Sequence, residues 1–212
     1  RVLSNTFVTF KWNNNIKTKL GFFYEGSQGT PFSYVYVNDN NGGLLRDTFQ
    51  NSALIYVPAK QTDINLVADA STGLSPQQQW DALNSFIEGN EYLRSRRGQY
   101  AERNGDRLEW SHIIDFKFAQ EVKVNFGKTK HTFELTADIF NFTNLLNKDW
   151  GKRYFATNDQ VTLINQVGFL ADGTTPTFNY KPATESTLNQ IDDSGLQSSR
   201  WQMQVGLRYT FN

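Results

Sequence analysis

RWQMQVGLRYTFN, residues 200–212, alternates without a break: Trp201, Met203, Val205, Leu207, Tyr209 and Phe211 on one side, Arg200, Gln202, Gln204, Gly206, Arg208 and Thr210 on the other. Strict period two over this length is a strand with one apolar and one polar face. Soluble strands run to about 5–6 residues and tilted membrane strands to about 9–11, so length favours a membrane. Ten steps of about 3.3 Å, tilted near 40°, project to roughly 25 Å, which sets Trp201 and Phe211 at the two rims of an apolar band of that height.

The same pattern lies upstream. Leu108, Trp110, His112, Ile114, Phe116 and Phe118 share one face of a strand, with Asp115, Lys117, Glu121 and Lys123 on the other; Phe133, Leu135, Ala137 and Ile139 alternate with Thr132, Glu134, Thr136 and Asp138 in the next. A two-residue turn at Gly127-Lys128 predicts Phe118 opposite Ala137, Phe116 opposite Ile139 and Lys117 opposite Asp138. It also sets Glu121 against Glu134, a like-charge pair that needs a cation from a neighbouring strand or water. Ile16, Thr18, Leu20, Phe22 and Tyr24 form a fourth strand, joined through Asn13-Asn14-Asn15 to a fifth with Val8, Phe10 and Trp12. That turn pairs Phe10 with Thr18 and leaves Lys11 opposite Lys17.

The reading is an all-β fold, a transmembrane antiparallel β-barrel whose strands here are 2–12, 16–36, 107–125, 130–143 and 199–212. Tight connections alternate with long ones, 37–106 and 145–198, as in outer-membrane barrels with long extracellular loops. The C-terminus then falls on the periplasmic side, and five strands cannot close a barrel. The first loop holds a helix: Ser75-Pro76 with Gln78 is a capping box, Trp80, Leu83 and Ile87 share a face, and Gly89 stops it. A second short helix is expected over 91–97, ending at Gly98. The chain starts at Arg1, already close to strand pattern and with no signal peptide, and reads as the C-terminal piece of a longer protein.

Composition bounds the function. The 212 residues carry 21 Lys+Arg against 21 Asp+Glu, so no excess of positive charge points to nucleic acid. The absence of Cys excludes disulfides, cysteine catalysis and thiolate metal sites. The longest apolar run, 53–57, is far too short for a spanning helix.

Five segments, FFYEGSQGTPFSYVYVNDNNGG (22–43), LIYVPA (54–59), RGQYAERNGDRLEWSHIIDFKFAQEV (97–122), LTADIFNFTNLLNKDWG (135–151) and the closing RWQMQVGLRYTFN, stand in an order that resembles the TonB-dependent outer-membrane receptors, especially their Oar-like group with a carboxypeptidase-regulatory-like domain. The resemblance implies the last strands of a 22-stranded barrel in the outer membrane of a Gram-negative bacterium, with plug and TonB-contacting segment upstream. It implies active uptake of a nutrient ligand, the TonB complex and the rest of the receptor as partners, and a surface lipoprotein lid as a further possible one. Asn212 departs from the pattern, since such barrels commonly end on the aromatic.

No residues point to catalysis, a cofactor or a metal: His112 and His131, the sole histidines, fall near opposite rims of the outward face, and no phosphate loop or nucleophile motif accompanies them. Asn38-Asp39-Asn40-Asn41-Gly42-Gly43 has too few carboxylates for a calcium loop. Trp80, Tyr92, Tyr100 and Tyr154 are candidate ligand contacts, as are Arg94, Arg96 and Arg97, which with Arg103 and Arg107 suit an anion or the phosphates of lipopolysaccharide; Glu91, Glu102, Asp106 and Glu109 stand by to neutralise them. Lys17, Lys19, Asp115, Lys117, Glu134, Asp138, Arg200 and Arg208 face the lumen. The competing readings are a secreted or surface β-rich adhesion module and a passive porin. A soluble sheet must cover its apolar face, whereas a membrane barrel leaves it bare.

Overall fold

The computed structural model describes residues 1–37, 53–182, 190–191 and 199–212; the calcium-like stretch 38–43 lies outside them. Its strands are β1 (Val2–Lys11), β2 (Ile16–Gln28), β3 (Pro31–Val37), β4 (Tyr56–Val57), β5 (Gln99–Tyr100), β6 (Asp106–Arg107), β7 (Trp110–Phe126), β8 (Thr129–Phe140), β9 (Tyr154–Phe155), β10 (Gln160–Phe169), β11 (Pro176–Tyr180), β12 (Gln190–Ile191) and β13 (Gln202–Phe211). The α-helices are α1 (Pro76–Gly89), α2 (Glu91–Ser95) and α3 (Phe142–Leu146). The chain is predominantly β. No helix among the described residues is long and apolar enough to cross a membrane.

The chain divides into two units. The first, residues 1–29, 109–154 and 191–212, is an open antiparallel sheet in the order β1-β2-β7-β8-β13. Its registers follow from the turns. Gly127 sits at φ 61° while Lys128 keeps a negative φ, which suits a turn with glycine first, and Phe126 pairs with Thr129, Lys117 with Asp138 and Glu121 with Glu134. At the other tight turn Asn13 Oδ1 accepts from the N–H groups of Asn15 and Ile16, and Lys11 pairs with Lys17. Because no register slips, the faces agree across all five strands. One carries Val8, Phe10, Leu20, Phe22, Phe116, Phe118, Phe133, Leu135, Val205, Leu207 and Phe211; the other carries the charges.

The second unit, residues 30–108 and 155–190, has its own core. A mixed sheet, β11-β10-β3-β6, pairs β10 parallel to β3, and α1 packs on β11. Every fully buried apolar side chain among the described residues belongs here except Ile113 and Ala119.

Four expectations change. The strand read over 16–36 is two strands in two sheets: β2 ends at Gln28, and β3 begins past Gly29-Thr30 at Pro31, which has no N–H to continue a ladder. Residues 32–35 are buried on both faces, as in a sheet covered on both sides. The long connection 145–198 holds β10 and β11, so it is built structure. The buried seam of α1 runs through Gln79, Leu83 and Ile87, with Trp80 half-exposed beside it. Arg200 lies ahead of β13, outside the alternation that was to turn it to the lumen.

Candidate functional site

The charged face of the sheet is organised in rungs set by the register. One reads Lys11, Lys17, Glu121, Glu134, Arg208 across the five strands. The like-charge step in its middle is bridged from the neighbouring strand: Lys19 Nζ lies 3.9 Å from Glu121 and 3.5 Å from Glu134. Lys123 stands 3.0 Å from Glu121, and Arg208 3.7 Å from Glu134. Two rungs away Lys117 reaches Asp138 at 2.9 Å. Such a face suits water or polar protein. Its apolar members include Phe7, whose ring lies over Gly21, where a Cβ would come within 2.6 Å of it. With Asn5, Phe23 and Phe140 this makes an apolar hollow of about 270 Å3.

In the second unit most of the arginine and tyrosine candidates hold the fold together. Tyr92 stacks on Tyr34 with ring centroids 6.2 Å apart, and its hydroxyl accepts from the Glu102 N–H. Arg97 donates to Glu88, Asn84 and the Pro58 carbonyl, and Arg96 to the Tyr100 carbonyl and Glu102. Arg94, exposed, reaches the Glu88 carbonyl. Tyr100 is 63% exposed, its ring edge-on to Tyr56. Trp80 and Tyr100 therefore remain as surface contacts of this unit. Arg96 and Arg97 neutralise Glu102 and Glu88, so the structure brings together no open anion site from them.

Below them lies a polar core. The Tyr34 hydroxyl, fully buried, donates to Asp106, and Asn90 Nδ2 donates to both. Burial first, then the Asp106 charge, hold the Tyr34 phenol well above its ordinary range. Gln79, missed by a reading that follows apolar periodicity, donates to the carbonyls of Val67 and Leu74 and accepts from the Tyr180 N–H. Burial raises Tyr180 to about 12. At the β10–β11 hairpin the Asp172 carboxylate takes the Thr175 hydroxyl and the N–H groups of Thr174 and Thr175, which lower its pKa to about 2.

Tyr154, the last candidate, belongs to the first unit. It lines a groove of about 290 Å3 with Glu109, Trp110, His112, Asp149, Trp150 and Lys152. Its wall is the loop after β8, which Asn141 wires together. That residue is buried in the left-handed region at φ 53°, donates to the Gly151 carbonyl, and takes the Thr143 hydroxyl. Asn144 donates to the carbonyls of Lys148 and Trp150.

Protein-family models, curated proteins and solved structures contain no match to the chain.

The histidines lie at opposite ends of the apolar face, His112 against the Tyr24 hydroxyl and His131 against that of Tyr209, 2.8 and 2.6 Å away. Among the described residues no cluster of three or more His, Asp or Glu could hold a metal ion.

Proposed function

We propose that this chain forms part of the wall and outer surface of a TonB-dependent receptor in the outer membrane of a Gram-negative bacterium, where it serves active uptake of a nutrient ligand. The observation that carries the reading is a five-strand apolar face that is bare among the described residues except where α3 meets Phe116: Leu207 is 77% exposed, Val205 62%, Phe10 44% and Leu135 45%. A face this wide left to water would aggregate, whereas hydrocarbon makes it an asset. The ion-paired opposite face supports a watery or plug-filled lumen, and the second unit, with its own core, supports a preformed capture surface outside the cell.

These 212 residues carry no Cys, so a single introduced cysteine gives one labelling position within them. An impermeant maleimide on intact cells should modify Asp81→Cys on α1 and spare Lys128→Cys in the tight turn until the outer membrane is broken. Labelling of Lys128→Cys alone on intact cells would reverse the orientation and remove the capture role.

A further inference from the structure

The outer end of the apolar face carries a construction that membrane anchoring alone does not require. Helix α3 lies against that face: Phe142 meets Phe116 at 5.4 Å between ring centroids, and Phe116 meets Phe22 at 5.1 Å. Beyond this aromatic track Leu146 and Trp150 stand out, 62% and 54% exposed. The loop that presents them is held by the Asn141 and Asn144 bonds and by Gly151 at φ 64°, where a Cβ would collide with Asn141. The groove is thus preformed. Trp110, 47% exposed, stacks on His112, and His112 on Tyr24, with Trp150 and Tyr154 also lining the space. Asp149 and Lys152, 2.8 Å apart, supply a carboxylate and an ammonium beside the rings.

We propose that this groove binds the saccharide headgroup of an outer-leaflet glycolipid, whose acyl chains follow the Phe142-Phe116-Phe22 track down the wall. Flat aromatic faces beside hydrogen-bonding polar groups suit a sugar, which has apolar C–H faces and hydroxyl edges. Trp110 and His112, which line the groove, share the face of β7 that carries Phe116, and this run along one strand selects an acylated sugar over a free one. The site rests on the membrane reading above.

The test uses the intact membrane protein reconstituted in phosphatidylcholine vesicles with and without lipopolysaccharide, extracted in mild detergent and weighed by native mass spectrometry. Wild type should retain lipopolysaccharide, Trp150→Ala and the milder Asp149→Asn should retain about ten-fold less, equivalent to about 1.4 kcal/mol. Trp12→Phe, at the opposite rim, should retain it as wild type does. Equal retention by all four proteins would overturn the site while leaving the membrane reading intact. Failure to insert in either kind of vesicle would overturn the membrane reading itself. Full competition by the deacylated saccharide would make this a site for soluble glycans and overturn the lipid assignment.

Discussion

A Gln79→Met variant keeps the volume of the side chain and removes all its hydrogen bonds, leaving the Tyr180 N–H and the Val67 carbonyl buried beside a thioether. Each buried group stranded in this way costs about 1–3 kcal/mol. Hydrogen exchange should therefore accelerate in 65–83 and 176–180 with the five-strand sheet unaffected; unchanged protection would show that water replaces the amide. Gln79 was illegible in the sequence because a buried glutamine breaks the apolar pattern by which a helix face is recognised. Asp172 gives a pH test. Its folded pKa lies below its ordinary value, so the stabilisation is complete above about pH 4 and is lost as the pH falls through about 2. Asp172→Ala should remove that acid-sensitive step from unfolding of the β10–β11 hairpin, followed by chymotryptic cleavage after Phe169 and Leu170 following acid pulses.

At the scale of elements, β13 allows a matched pair of substitutions. Val205 is on the apolar face and Gln204 next to it faces Asp138. On the proposed membrane reading, Val205→Arg should cost about 2–4 kcal/mol and Gln204→Arg little, read from heat-modifiable migration of the assembled protein. Equal effects would sink the face assignment. The β7–β8 hairpin was legible because alternation and a glycine turn fix register together. The breakdown of that logic is equally physical. Alternation continues in phase from Tyr24 to Phe32, Tyr34 and Tyr36, and a period cannot say which sheet a strand joins. In β10 the register shifts between Thr162 and Ile164 and again between Gln166 and Gly168. Two irregularities in ten residues erase the period, so a core strand reads as loop. The candidate contacts suffered similarly: composition placed arginines and tyrosines in an outer loop, but only coordinates show that Arg97 and Tyr92 face inward partners.

For the molecule as a whole, the two units should part company under alkali. The Tyr34 phenol is held above its ordinary pKa, as are Tyr36 and Tyr180, so their contribution is complete below about pH 10 and is lost as the pH rises beyond it. The second unit should open at alkaline pH, seen as a cooperative rise in tyrosinate absorbance, while the five-strand sheet of the first unit persists. Tyr34→Phe should delay that rise; if it does not, burial of this hydroxyl does not govern alkaline opening.

The junction between the units also bears on how the sheet is assembled. Pairing β2 with β7 means bringing together segments separated by roughly 80 residues, for which a floppy connection costs about 4 kcal/mol of chain entropy. The Leu108 N–H donates to the Thr30 carbonyl at 3.2 Å, and one step further the Gly29 N–H donates to the Glu109 carbonyl at 3.0 Å. Once these bonds have formed, the two ends of the segment 30–108 are already side by side, and β2 and β7 can close like a zip from that end.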